Sequence, residues 1–256
     1  MRFYKIEAGT GQHIGDRAEQ QDRVALFGAP RAPGFMMAIV ADGMGGAGGG
    51  SAAAEQAIRT ARQIFESFSP LTDDVEAILH QIAAELHTVI RLMTLSSQTR
   101  SQTALAMLIL TPERTAIWGH VGDCRIYRFS GPNLATRTVD SPPADPADTP
   151  DATAAQNLIG KAGKPPEVAI GRHAGLQPGD AFVLCSDGLW QSCRDAEIGA
   201  AVAMHSPRDA AQMLIRKARD RVADGNGDNC SLGVIKLLML PKSAPEFQVD
   251  KLRRAI

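Results

Sequence analysis

Residues 36–46 read MMAIVADGMGG. An apolar run ends in an acid, and the chain then breaks into glycines. Met, Ile and Val suit a buried strand, and glycine suits the turn after it. An aspartate at that junction is held at a strand end by the scaffold, with its carboxylate facing whatever lies beyond. The same device returns at 182–188, FVLCSDG. Two such junctions in one chain call for a chemical explanation.

On the N-terminal side of this stretch, 2–8 and 23–27 are short strand-like runs, and 35–41 is a stronger one. On the C-terminal side, SAAAEQAIRTARQIFESF sets Ala53, Ala57, Ile58, Ala61, Ile64, Phe65 and Phe68 at helical spacing, with Ser51 as the expected N-cap. DDVEAILHQIAAELHTVIRLM repeats the pattern through Val75, Ile78, Leu79, Ile82, Leu86, Val89, Ile90 and Met93. Strand signals follow in TALAMLIL, TAIWGHVG and CRIYRFS, which read as an antiparallel meander. EVAIGRHA and AFVLCSD are further strands, DAEIGAAVAM and PRDAAQMLIRKARDRVA are helices, and CSLGVIKLLML is a last strand. This order does not alternate β-α-β-α. It predicts an α+β fold, antiparallel sheets with helices segregated on the outside.

Residues 140–155, DSPPADPADTPDATAA, hold four prolines and four aspartates and predict an exposed, mobile loop inside the domain. The organisation expected is a single domain over 1–240 and a polar tail over 241–256.

The 256 residues are ample for a sizeable core, and a net charge of −1 gives no electrostatic reason to expect nucleic acid or an anionic membrane as partner. Cys124, Cys185, Cys193 and Cys230 are scattered without a C-x-x-C pair, which suggests buried free thiols in a reducing compartment. No stretch reaches the ~18 apolar residues of a membrane span, and the start carries no apolar signal core. A cytoplasmic protein without membrane insertion is the expectation.

Five acids stand out: Asp22, Asp42, Asp123, Asp187 and Asp228. Each alone has an ordinary explanation as turn or loop chemistry. Four of the five, however, sit at ends of apolar strands. If those strands share sheets, the ends converge, and clustered carboxylates repel one another unless cations hold them. Ligands that are all oxygen suit Mg²⁺ or Mn²⁺ rather than zinc. His80 and His87 lie seven apart on one helix, no zinc spacing occurs, and both read as helix-surface residues. Two hard cations in an acidic cleft suit attack on a phosphoryl group by a metal-activated water. Such a site needs a cation to hold the phosphate, and Arg17, five residues before Asp22, is placed for it.

In order along the chain, GDRAEQQD, VADGMGG, SQTALAMLIL, VGDCRIYRF, LCSDGLW and GDNCSLGVI resemble the successive signatures of the metal-dependent protein serine/threonine phosphatases, the type 2C or PPM family, in its bacterial form. The match runs from about residue 9 to 238. The resemblance implies a β-sandwich flanked by pairs of helices, in four layers, with a two-metal centre at one end. On it, Asp42 bridges two Mn²⁺ or Mg²⁺ ions and the Gly43 carbonyl ligates one. Asp187 and Asp228 complete one shell, Asp22 acts through metal-bound waters, and Arg17 holds the phosphate. Asp123 matches the acid that helps bind a third, looser metal. The reaction implied is hydrolysis of phosphoserine and phosphothreonine by a hydroxide bridging the two ions. The partners implied are phosphorylated proteins of a cognate serine/threonine kinase.

Three departures stand against this pattern. Gln20-Gln21 precedes Asp22 where members often have Asn then Glu or Gln, and the neutral Gln21 leaves one metal with less carboxylate charge. Met44 follows the Asp-Gly where eukaryotic members commonly have His, which leaves protonation of the leaving group to a metal-bound water. The acidic, proline-rich run at 140–155 replaces the usual Asp-His-Ser element. The alternative reading is a catalytically silent adaptor or regulatory binding module. Retention of Arg17, Asp42, Asp187 and Asp228 argues against it. A phosphatase of the haloacid dehalogenase type needs D-x-D, which VADGMGG lacks.

Overall fold

The computed structural model describes residues 4–140, 157–222 and 225–240. The ten strands are β1 (Tyr4–His13), β2 (Asp22–Gly28), β3 (Met36–Met44), β4 (Gln102–Leu110), β5 (Thr115–Val121), β6 (Arg125–Ser130), β7 (Asn133–Arg137), β8 (Ala169–Ala174), β9 (Asp180–Cys185) and β10 (Cys230–Met239). The helices are α1 (Gly49–Ser67), α2 (Val75–Ser97), α3 (Asp187–Trp190), α4 (Asp195–Met204) and α5 (Pro207–Arg221). The strands form two antiparallel sheets, ordered β1-β10-β9-β6-β7 and β2-β3-β4-β5-β8.

Side-chain alternation explains the layering. Along β4, Leu105, Met107 and Ile109 pack with α1 and α2, while Ala104, Ala106, Leu108 and Leu110 join Phe182, Leu184, Ile235 and Leu237 between the sheets. Along β10, Leu232 and Val234 face α4 and α5 instead. Strands buried on both faces read as continuous apolar runs, which is why TALAMLIL and CSLGVIKLLML carry no alternation. The result is the expected α+β sandwich, helices outside and two sheets inside.

Several expectations are corrected. Ser51 is not the N-cap of α1: the helix begins at Gly49 with Gly48, in the left-handed region at φ 79°, as its cap. Ser51 lies inside the first turn, where its hydroxyl accepts from Arg23 Nη2 at 3.1 Å. At α2, by contrast, Asp74 caps through its side chain, accepting from the Ala77 N–H. The meander also fails at its third strand. β4 and β5 pair, but β6 lies in the other sheet between β9 and β7. The corner at residues 122–124 carries the chain across the sandwich. The short edge strand β7 and the single-turn α3 had no clear signal. Apart from Asp140, the loop expected at 140–155 lies outside the described residues, as does the tail from 241.

Candidate metal centre

Strand direction gathers the five aspartates. Asp22 opens β2 and Asp42 lies near the end of β3; Asp123 joins β5 to β6; Asp187 follows β9 and Asp228 precedes β10. Because neighbouring strands are antiparallel, all these junctions fall at one end of the sandwich. Asp22 and Asp42 are direct partners in the β2–β3 register. On its other side Asp42 is opposite Ala104.

The glycines after the acids answer to close backbone approach. A Cβ on Gly43 would lie 2.0 Å from the Gly50 carbonyl oxygen and 2.6 Å from that of Gln21, so only glycine lets the start of α1 and the residue just before β2 meet here. A Cβ on Gly188 would lie 2.2 Å from the Asn229 carbonyl oxygen, where α3 meets the start of β10. Asp-Gly therefore marks, twice, a strand end against which another segment is pressed.

Arg17, Asp42, Gly43, Asp187 and Asp228 line one cleft of about 640 Å³. Arg17 donates from Nη2 to Asp228 Oδ2 at 2.8 Å, with the two side chains 61% and 40% exposed. An ion pair so exposed contributes about 0–1 kcal/mol and leaves the guanidinium free to change partner. Asp22 does not line the cleft. It is 1% exposed, and Ser186 Oγ donates to its Oδ2 at 2.7 Å from the opposite sheet. Asp123 approaches from the β5–β6 corner; its carbonyl accepts from Trp190 Nε1 at 2.9 Å, and its buried Oδ1 has no hydrogen-bond partner among the described residues.

Burial raises the pKa of Asp22, Asp42, Asp123 and Asp187, and mutual repulsion adds to it. Asp187 is pushed up to about 7 by burial, then by Asp123, Asp228 and Asp22. Asp22 is pushed up to about 6 by burial and by Asp228, against the opposing hydrogen bonds of Ser186, Ser231 and Asp42. Burial and then Asp22, Asp187, Asp123 and Asp228 drive Asp42 well above the usual carboxylate range. Asp123 is raised by burial and by Asp140. The cluster stores electrostatic cost that positive charge would relieve.

Among the described residues, no three acidic, histidine or cysteine side chains are grouped so as to hold an ion unaided. Two contacts contribute: Asp228 is turned to Arg17, and Asp22 to Ser186. The remaining donors are carboxylates and a backbone carbonyl. That set fits a magnesium-like or manganese-like ion, which keeps several of its own waters and takes few protein ligands.

Sequence reading missed the residues that brace this end. Asn229 Oδ1 accepts from the Gln21 N–H at 2.6 Å, while its Nδ2 donates to the carbonyls of Ile14 at 2.7 Å and Glu19 at 3.1 Å. It thereby fastens the loop that carries Arg17 to the start of β10. Gln21 donates to the Gly45 carbonyl at 3.0 Å and to Glu19 at 3.2 Å, so the neutral residue at this position holds backbone rather than charge. Thr103 Oγ1 donates to the Asp42 carbonyl at 2.9 Å. The available signal was polar residues set into apolar strands, as in LCSDG and NCSLGV. His87, expected on the helix surface, is half-buried and accepts from the Gly160 N–H at 3.2 Å, whereas His80 is exposed. All four cysteines are free and buried, as expected.

The sequence model of the protein phosphatase 2C family matches residues 9–219. The chain belongs to this family, a class of serine/threonine phosphatases. Among solved structures it resembles the S. agalactiae serine/threonine phosphatase, at 24% identity and TM-score 0.78 over 91% of this chain and 99% of that one. PppA of Pseudomonas aeruginosa, described as a key regulatory component of T6SS, is 24% identical, with TM-score 0.76 over 92% and 99%. The Mycobacterium tuberculosis serine/threonine phosphatase PstP is 22% identical, with TM-score 0.73 over 91% and 99%. A structure of the PstP catalytic domain holds two manganese ions. No curated protein matches the sequence. No helix among the described residues is long and apolar enough to cross a membrane.

Proposed function

We propose that this chain, as one domain over 1–240, is a metal-dependent phosphoprotein phosphatase that hydrolyses phosphoserine and phosphothreonine. One observation carries the reading. Strand ends from both sheets bring five aspartates together at one end, where burial and one another push Asp22 to about 6, Asp187 to about 7 and Asp42 well above the usual carboxylate range. A catalytically silent adaptor has no use for so costly a cluster beside an exposed arginine.

Asp42, Gly43, Asp187 and Asp228 would hold two divalent cations. Asp42 feels the charge of Asp22, Asp187, Asp123 and Asp228 alike, which supports it as the residue that would serve both ions. The burial of Asp22 and its bond to Ser186 support an indirect part, through water. The unpartnered Oδ1 of Asp123 supports a further, looser cation there. Bound divalent cations polarise a phosphoryl group and take the pKa of water from 15.7 to about 7 in the best cases, which supplies a nucleophile at neutral pH.

The chain's own groups do the rest. Arg17 exchanges Asp228 for the substrate phosphate, to which a guanidinium can donate two parallel hydrogen bonds. Asn229 keeps the Arg17 loop in place. Met44, which lines the cleft, has no proton to give, so the leaving oxygen must take its proton from water. The partners this implies are phosphorylated proteins of a serine/threonine kinase.

The test is Mn²⁺-dependent hydrolysis of a phosphothreonine peptide and of p-nitrophenyl phosphate, abolished by EDTA. Peptide binding without turnover in Mn²⁺ would favour the adaptor.

A further inference from the structure

A second concavity, of about 500 Å³, lies on the other side of α3 and has the opposite charge. Its lining includes Arg125, Arg137, Arg194, Arg221, Trp190 and Asp195. Arg125 lies flat on the Trp190 ring, its guanidinium carbon 3.5 Å from the centroid, and donates to both oxygens of Asp140 at 2.8 and 2.6 Å. Arg221 grips Glu197 in the same two-pronged way at 2.7 and 2.6 Å, and Lys217 meets the same carboxylate at 2.8 Å. Arg137 pairs with Asp195 at 2.9 Å but stays 40% exposed. Arg194 is exposed and forms no ion pair among the described residues.

Five cations thus meet three carboxylates: the excess charge falls on Arg194 and on Arg221 and Lys217, which share Glu197, while Arg137 keeps an open edge. The arginine forks already hold planar oxyanions, and Trp190 fixes one guanidinium without using its hydrogen bonds. We propose that this pocket binds a second anionic side chain of the phosphoprotein substrate, a carboxylate or a further phosphate, near the residue being dephosphorylated. The proposal rests on the phosphatase reading and names the substrate class for it.

Placement supports the pairing. Asp187, on the cleft, and Gln191, on the pocket, lie one turn apart, and Gln191 Nε2 donates to Asp187 Oδ2 at 2.9 Å. Four helical residues rise about 6 Å, and an extended peptide advances about 3.3 Å per residue. An anion two to four residues from the phosphorylated one therefore spans the gap. The two concavities also sort their ligands. The metal-free cleft is lined by acids and repels a bare carboxylate, whereas the pocket attracts it.

The experiment uses two phosphothreonine peptides, identical except for glutamates or glutamines at two to four positions on either side. Calorimetric titration into the metal-free protein in EDTA reads the pocket without turnover. The glutamate peptide should bind about tenfold more tightly, the scale of one charge-assisted contact. Arg137→Gln/Arg194→Gln should erase the difference, and Arg194→Glu, an exposed single change that leaves the ion pairs intact, should reverse it. In Mn²⁺ the same preference should appear in KM rather than kcat. Equal binding of the two peptides, a preference that survives the double variant, or a binding preference with no counterpart in KM overturns the proposal. If neither peptide nor p-nitrophenyl phosphate is hydrolysed in Mn²⁺, the phosphatase reading fails, and the titration still decides whether the pocket selects anions.

Discussion

Replacing Asp187 by Asn separates the electrostatic cost of the acid cluster from its use. The carboxyl moves from 3.8 to about 7 on folding, and each unit corresponds to 1.36 kcal/mol, so the ionised form is about 4 kcal/mol worse off in the metal-free protein. The folded value is raised, so the metal-free protein keeps its full stability below pH ~4. It loses this contribution between about pH 4 and 7, and carries the whole cost above that. Asparagine has the same shape and can still accept from Gln191, but it does not ionise. In EDTA at pH 8 the variant should gain up to about 4 kcal/mol, less the cost of burying the new amide. With an unfolding entropy of about 2.1 cal/mol/K per residue, or ~0.5 kcal/mol/K for this chain, that is at most about 7 °C in Tm. At pH 4 wild type and variant should melt together. Mn²⁺ should reverse the order at pH 8, because wild type gains a full binding contribution and the variant a reduced one. Thermal melts at both pH values, with EDTA or Mn²⁺, read all four cells. An Asn variant less stable than wild type in EDTA at pH 8, or a gain equal at both pH values, would refute the reasoning.

Arg17→Ala should raise KM for phosphopeptides with Mn²⁺ binding unchanged by calorimetry, and Arg17→Lys should rescue only partly, since an ammonium cannot make the paired contact; unchanged kinetics in Arg17→Ala would mean that the phosphate is held elsewhere. Asp123→Asn should keep both tight ions and lose roughly one to three powers of ten in kcat on phosphothreonine, the range of a lost acid catalyst, and less on p-nitrophenyl phosphate, whose leaving group needs no proton. Equal losses on the two substrates would sink that role. Gly43→Ala places a Cβ 2.0 Å from the Gly50 carbonyl, so the urea midpoint should fall by the equivalent of roughly 3 kcal/mol or more, at the severe end for a point substitution; a normal midpoint would show that α1 can move off β3.

The strands that position the acids were legible because they are buried on both faces. β3, β4, β9 and β10 announce themselves as unbroken apolar runs; an acid closes the runs of β3 and β9 and another stands just before that of β10. α2 was legible through its spacing and through Asp74. The start of α1 was not, because close approach of Gly50 to Gly43 sets it, rather than the capping preference of Ser51. The pairing of β6 was not, since periodicity gives a strand's faces and not its neighbour. Asn229, Ser186 and Ser231 escaped because their partners, the Arg17 loop and Asp22, come from segments roughly 160 to 215 residues away. A buried serine in an apolar strand looks the same in sequence whether it faces an acid or a carbonyl. The arginine pocket escaped for the same reason: its cations come from β6, β7, α5 and the residue before α4, and no run of sequence gathers them.

The central claim is that Asp42 holds two cations that make this end of the sandwich a phosphatase. Its most direct test is one preparation, freed of metal and titrated calorimetrically with Mn²⁺, with the rate on a phosphothreonine peptide followed in parallel for wild type and Asp42→Asn. Wild type should show two tight sites per chain and a rate that appears as they fill. Asp42→Asn should remain folded, lose at least one of those sites and show no turnover above background. Turnover in wild type before any Mn²⁺ is added, or near-normal turnover in Asp42→Asn, would contradict the account.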